Sequence, residues 1–375
     1  MIPFSKQHLV GEERTRVDLA MQGSSLSGPG VYSTLCETLI AQQLGGAPAM
    51  LVPSCSAALE IAAILLNLQS GDEVIMPSYT FTTTATSVAL RGATPVFVDV
   101  DSVNFNICPD AVERAISPRT KAIIVVHYGG VPADMIRLTQ IAEAHGIKIV
   151  EDAAQAYGSS LNGRPAGSFG AMSCFSFHGT KNISAGEGGA LVVNDPDLVE
   201  RAEIVCEKGT DRKRFLAGGV QFYTWQDIGS SYVTNEMTAA FLSVQLEAAG
   251  AINARRVQQW RFYKEALTEP ARNGHFDLPD PPKNCEHNGH CFFVVTKDKE
   301  ARSDLSKFLL ARGIKAVSHY VPLHSAPAGK RLARYEGPMH STDRAGDCLL
   351  RLPLWHDMDD EQEIVVSAVH DWCAR

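Results

Sequence analysis

Apolar residues recur along this chain in two alternating rhythms. Short continuous runs rich in Val, Ile, Leu and Met occupy 49–53, 73–76, 94–100, 121–127 and 147–150. Between them, stretches at 57–68, 82–91, 109–116 and 134–145 carry apolar positions at helical spacing. Continuous β-branched runs are typical of strands buried on both faces, so their alternation with helices predicts a mostly parallel sheet covered on both sides. Ligands of such sheets bind beyond the carboxyl ends of the strands. Two further apolar runs, 171–177 and 190–193, predict buried strands on either side of a Gly-rich turn.

Outside this block the pattern is looser. Residues 1–35 read as loop, with 23–30 as a flexible Gly/Ser segment, before a helix over 31–44. After 193 come a helix over 198–208 and a long helical region over 236–266. A Pro-rich linker at 278–283 follows, then strands at 291–296 and 316–321 and helices at 303–312 and 360–374. This predicts an α/β protein with a large domain over 1–245 and a smaller α/β domain over 246–375, entered through a long connecting helix.

Composition narrows the function classes. The 375 residues are 45% hydrophobic and 20% charged, as in ordinary globular proteins, and net charge is −8 without a long basic run. Neither nucleic acid nor an anionic membrane is an expected partner. No apolar run reaches membrane-spanning length and the start shows no signal-peptide core, so a cytoplasmic protein is expected. Nine scattered cysteines without a CxxC pair read as reduced thiols.

Candidate chemistry centres on Lys181, in the turn between the two buried runs. Either it points to water, or it is desolvated, with a lowered pKa and an amine able to form a Schiff base. Ser54-Cys-Ser-Ala-Ala58 opens a helix after the first strand. Ser54 or Ser56 is a plain N-cap there, or the helix N-terminus is a phosphate site. Met76-Pro-Ser-Tyr-Thr-Phe81 places aromatics at a strand end, as core or as a platform for a planar ring. Glu151-Asp152 ends another buried strand, where a carboxylate needs a cation, and a protonated pyridine nitrogen is one. GxGxxG after a strand, GxxxxGK[ST] and HExxH are absent. Cys285, His287, His290 and Cys291 have ligand chemistry, but their spacing fits no common zinc pattern, and no metal is expected. Phosphate cradle, stacking aromatic, carboxylate and lysine together are the parts that hold pyridoxal 5′-phosphate.

Order and spacing of these parts resemble fold type I, the aspartate-aminotransferase fold. The segments Gly71-Asp-Glu-Val-Ile-Met-Pro-Ser78, Val98-Asp-Val100, Glu151-Asp-Ala-Ala-Gln155, Ser176-Phe-His-Gly-Thr-Lys-Asn182, Gly186-Glu-Gly-Gly189 and His319-Tyr-Val-Pro-Leu-His324 are similar to the DegT/DnrJ/EryC1/StrS sugar aminotransferases. Within that family the chain resembles the dTDP-4-amino-4,6-dideoxygalactose transaminases, through Met1-Ile-Pro-Phe4, Pro53-Ser-Cys55, Leu90-Arg-Gly-Ala93, Cys174-Phe-Ser-Phe-His178, Glu207-Lys-Gly-Thr210, Tyr223-Thr-Trp225 and Asp227-Ile-Gly-Ser-Ser-Tyr232. The resemblance implies that Lys181 is the Schiff-base lysine and Asp152 the partner of the pyridine nitrogen. Gln155 lies on the ring-hydroxyl side and Phe81 stacks on the ring. Cys55, Ser56 and Ser176 hold the phosphate. His178, His319 and Tyr320 lie near the nucleotide-linked keto sugar, with His178 in an orienting role. Glutamate is the implied amino donor and a homodimer the implied assembly. Ser231 stands where many members have an Asn that reaches the partner subunit's phosphate. The basic residues from Lys208 to Arg214 meet the substrate diphosphate or form a solvated loop.

Overall fold

The computed structural model describes residues 1–23 and 25–375; Ser24, inside the segment read as a flexible loop, lies outside the described residues. In chain order the strands are β1 (Ala49–Val52), β2 (Glu73–Pro77), β3 (Thr94–Val98), β4 (Thr120–Val126), β5 (Lys148–Asp152), β6 (Ser160–Leu161), β7 (Arg164–Pro165), β8 (Met172–Ser176), β9 (Gly189–Val193), β10 (Phe276–Asp277), β11 (Cys285–Glu286), β12 (Phe292–Thr296), β13 (Arg334–Tyr335) and β14 (Leu349–Leu352). Eight of them form one sheet in the order β1-β9-β8-β5-β4-β2-β3-β13. Only β9 runs against the rest. Two three-stranded sheets, β10-β12-β14 and β11-β6-β7, complete the strands.

The continuous apolar runs are explained by burial on two sides. Val74, Met76, Ile124 and Val150 pack with Ala58, Leu59 and Ala62 of the helix Cys55–Leu65. Ile75, Val96, Ile123 and Ile149 point the other way, onto Val112, Leu138 and Ile141. Successive strand residues therefore serve opposite faces, and each face has helices to cover it.

Three expectations are corrected. The 1–35 stretch contains the helix Glu13–Met21. Its residues form no apolar stripe; polar contacts hold it instead. The Glu13 carboxylate accepts from the N–H groups of Val10 and Gly11 at 2.7 and 2.8 Å and from Gln245 at 2.6 Å, and Arg16 pairs with Glu247 at 3.0 Å. The long helical region is two helices, Glu236–Glu247 and Ala249–Ala266, broken at Ala248. Residues 316–321 are not a strand. Val317 alone bridges to Arg351, because His319 and Tyr320 turn away to meet Tyr128 and Gln155.

One edge of the large sheet is completed late in the sequence. β13 pairs in parallel with β3, and its first residue, Arg334, bonds the buried Glu73 at 2.8 Å. The Arg334 guanidinium, with help from Ser117 and Arg119, brings the Glu73 carboxyl down to about 2 despite its burial. All nine cysteines are free. Among the described residues, no helix is long and apolar enough to cross a membrane.

Candidate active site

A cavity of about 630 Å³ opens at the carboxyl ends of the parallel strands. It gathers Cys55, Ser56, Phe81, Asp152, Gln155, Ser176, His178, Lys181, His319 and Tyr320. Ser231 is not among them. It is exposed and bridged to Glu207, away from its own chain's cavity.

The helix Cys55–Leu65 aims its N-terminus into this space. Ser54 caps it, its hydroxyl accepting from the Ala57 N–H at 3.1 Å. The cap and the anion site coexist, since the cap uses one N–H and the first turn offers others. Gly189 sets the approach of β9 to this turn. A Cβ there would lie 2.3 Å from the Ser54 carbonyl carbon and 2.4 Å from the Cys55 nitrogen. Any side chain would push the strand and the helix start apart.

Asp152 ends β5 and is 5% exposed. It accepts from the Thr84 hydroxyl at 2.8 Å and from the Ala154 N–H at 3.3 Å, and Thr84 in turn meets Thr80. No cation pairs with it among the described residues, and burial pushes its carboxyl up, while the Thr84 hydrogen bond opposes that shift. Its neighbour Glu151 behaves differently. Glu151 is fully buried and accepts from the N–H groups of Gly167, Phe169 and Gly170 and from His127. His127 Nδ1 accepts from the Ala133 N–H, so its proton sits on Nε2 and points to Glu151. Glu151 is therefore a bracket for the 167–170 turn, and Asp152 is the carboxylate left facing the cavity.

Lys181 reaches the same space from the turn between β8 and β9. Its amine has no hydrogen-bond or ion-pair partner among the described residues. Burial pushes it below the ordinary lysine value, with Asp152 among the groups opposing the shift. Gln155 is fixed by both ends of its amide. Its oxygen accepts from the Gly129 N–H at 2.8 Å and its nitrogen donates to the Tyr320 hydroxyl at 2.8 Å. His319 stacks on Tyr320 with ring centroids 3.7 Å apart and bonds the Tyr128 hydroxyl at 2.8 Å. Burial pushes its pKa well down, so the ring is neutral. Phe81, at the cavity edge, keeps 55% of its surface exposed. His178 is held by Thr180, 2.9 Å from its Nδ1.

Several residues that sequence reasoning missed also line the cavity. Thr80 and Thr83 come from the segment after β2, Phe4 and Ser5 from the N-terminal strap, and Arg351 from β14. Arg351 lies over the Phe4 ring at 4.5 Å, and its buried Nε has no hydrogen-bond partner. No carboxylate forms an ion pair with it among the described residues. The basic residues after the helix Val199–Cys206 have acidic partners within the chain. Lys213 pairs with Glu203 at 2.6 Å, Arg214 with Glu200 at 3.2 Å and Arg212 with Glu207 at 3.1 Å, and none lines the cavity. Cys285, His287, His290 and Cys291 do not converge. His287 packs on Trp260, His290 bonds Asn182, and Cys285 lies in β11.

The donor set fits pyridoxal 5′-phosphate. A helix N-terminus suits a phosphate, an unpaired buried carboxylate suits a protonated ring nitrogen, and an unpaired, pKa-lowered lysine suits an aldehyde. Cofactor, sheet topology and lysine together define a pyridoxal-phosphate-dependent aminotransferase of fold type I. The model of the DegT/DnrJ/EryC1/StrS aminotransferase family matches residues 7–370, and the chain belongs to that family. It is 36% identical to a pleiotropic regulatory protein of Geobacillus stearothermophilus, over 82% of this chain and 80% of that one. It is 34% identical to the dTDP-3-amino-3,4,6-trideoxy-alpha-D-glucose transaminase of Streptomyces venezuelae, over 100% and 97%. With the dTDP-4-dehydro-2,3,6-trideoxy-D-glucose 4-aminotransferase of Saccharopolyspora spinosa it shares 31% identity, over 96% and 94%. The crystal structure of S. venezuelae DesV in complex with a ketimine intermediate superposes with a TM-score of 0.90 at 32% identity, covering 100% of this chain and 99% of that one.

Proposed function

We propose that this enzyme moves the amino group of glutamate to C4 of dTDP-4-keto-6-deoxy-D-glucose, giving dTDP-4-amino-4,6-dideoxy-D-galactose. In this reading it works in the cytoplasm as a homodimer. The observation that carries the transaminase chemistry is the unpaired Asp152 carboxyl and the unpaired Lys181 amine facing one cavity beside a phosphate-competent helix end.

Pyridoxal phosphate, when bound, carries the amino group from donor to acceptor and takes up the electrons released at the reacting carbon. Asp152 keeps a negative charge opposite the ring nitrogen, and Thr84 and Ala154 keep that carboxylate in place. The Lys181 amine takes the proton from Cα of the donor and, in the second half of the cycle, delivers one to C4 of the sugar. Its position on one side of the cavity sets the C4 configuration. His319, held neutral against Tyr128, offers a ring nitrogen to a sugar hydroxyl, and the His319–Tyr320 stack walls the acceptor side. Ser231, exposed and outside its own cavity, serves the partner's site in the dimer.

Arg351 supports an amino-acid donor, glutamate in this reading. A guanidinium inside a cavity with a buried, unpartnered Nε needs an anion, and the donor's carboxylate supplies two oxygens for it. Arg351→Met is expected to raise the glutamate KM about 10- to 100-fold and to leave the keto-sugar KM unchanged. Single-turnover reaction of the cofactor-loaded enzyme with glutamate, followed by absorbance, measures this directly. An equal loss for both substrates would contradict it.

Support for the 4-amino galactose product comes from the stretches that carry the subgroup likeness, three of which, Glu207–Thr210, Tyr223–Trp225 and Asp227–Tyr232, fold together as one unit. Thr210 bridges Trp225, Glu207 bridges Ser231, and Gly209 lies so close to Asp227 that a Cβ would meet its carbonyl oxygen at 1.9 Å. The 34% identity to a 3-amino sugar transaminase favours a second reading, amination at C3. Incubation with dTDP-4-keto-6-deoxyglucose and glutamate, then NMR of the product, decides between them. The expected product carries an axial amine at C4; no turnover of the 4-keto sugar, together with turnover of a 3-keto sugar, would overturn the first reading.

A further inference from the structure

Outside the lining of the Lys181 cavity, three potential metal ligands meet where the N-terminal strap crosses the loop after β14. His8 Nδ1 lies 2.9 Å from one oxygen of Asp357, and His356 Nδ1 lies 2.7 Å from the other. The two imidazoles stack with centroids 3.7 Å apart, and the three ligand atoms all lie within 4.8 Å of one another. The histidine side chains are 19% and 21% exposed and Asp357 is 61% exposed, so an ion reaches the site from solvent.

The two histidines are presented on fixed backbones. Gln245, fully buried, donates to the His8 carbonyl at 3.1 Å, and Gln259 donates to the carbonyls of His356 and Met358 at 2.8 and 2.9 Å. Two imidazole nitrogens and a carboxylate oxygen, held this way with an open side to water, suit a borderline cation such as Zn²⁺ and not Mg²⁺ or Ca²⁺.

We infer that His8, His356 and Asp357 form a Zn²⁺ site that clasps the N-terminal strap to the loop after β14. The strap matters because Phe4 and Ser5 line the active-site cavity. Other contacts along the strap include the Gln245 bond to the His8 carbonyl, the Arg351 guanidinium over Phe4 and the Lys6–Glu361 pair. Ile2 bridges Ile314, the Leu354 N–H donates to the Phe4 carbonyl at 3.3 Å, and Lys6 sits over the Trp355 ring. On binding, each imidazole presents Nδ1 to the ion and carries its proton on Nε2, and Asp357 exchanges two hydrogen bonds for one metal bond. The ion thus ties a wall of the cavity to the body of the protein.

Isothermal titration of chelator-treated holoenzyme with Zn²⁺ tests this. One equivalent is expected to bind, and His8→Ala, His356→Ala and Asp357→Asn are each expected to weaken that binding about 100-fold or more. Trypsin cleavage after the half-exposed Lys6 reads the clasp independently; Zn²⁺ should slow it about tenfold in the wild type and not in Asp357→Asn, which keeps the size of the side chain and removes its charge. Absence of saturable binding in the wild type, or binding of equal strength in the three variants, would overturn the inference.

Discussion

Replacing Lys181 by alanine is expected to lower turnover on the order of 10⁴-fold or more, because one side chain serves as both the nucleophile and the proton carrier. Folding should be intact, since the Lys181 amine makes no bond within the described chain. Cofactor should still enter, because the helix end at Cys55 and the Asp152 carboxylate remain. The discriminating measurement is attachment. After borohydride treatment, peptide mass mapping should find cofactor mass on Lys181 in the wild type and on no lysine in the variant. Full turnover by Lys181→Ala would remove the central assignment. So would borohydride labelling of a different lysine in the wild type.

Asp152→Asn carries the second large effect. The substitution keeps the shape and the Thr84 contact but withdraws the charge that faces a ring nitrogen. Turnover is expected to fall about 10²- to 10³-fold, the scale seen when one placed electrostatic partner of a developing charge is removed. Cofactor affinity should fall as well, and equilibrium dialysis with absorbance measures it apart from activity. Asp152 and Lys181 face one cavity, so their effects should not add: the double variant is expected to lose little beyond Lys181→Ala alone. An Asp152→Asn enzyme with wild-type affinity and rate would show that the carboxylate is a packing element like Glu151.

The large sheet was legible because its strands are buried on both faces, which leaves uninterrupted apolar runs such as 121–127. The helix Glu13–Met21 was not, since carboxylate-to-backbone bonds and an Arg16–Glu247 pair leave no periodic trace. Within the cavity, Lys181 stood out as a cation between two core strands. Arg351 carries the same sign, a lone cation in Leu349-Leu-Arg-Leu352, and was overlooked because that run is short and lies outside the alternating block. Thr84 left no mark at all, as a threonine in the first turn of a helix is unremarkable until Asp152 is seen 2.8 Å away. The basic run from Lys208 left two readings open, a diphosphate contact or a solvated loop; across the fold, Lys213 and Arg214 meet acids of the preceding helix, and Arg212 meets Glu207 just after it.

The pairing of β13 with β3 bears on how the chain is made. At a ribosome, strands β1 to β9 emerge well before residue 334, so the sheet exists for a time with the β3 edge bare and Glu73 lacking its Arg334 partner. A bare parallel edge is a template for another chain, and contacts so distant in sequence close slowly. The nascent protein is therefore most vulnerable to association with its own copies in the interval between completing β9 and the emergence of β13, the stage at which a chaperone would have the most to shield.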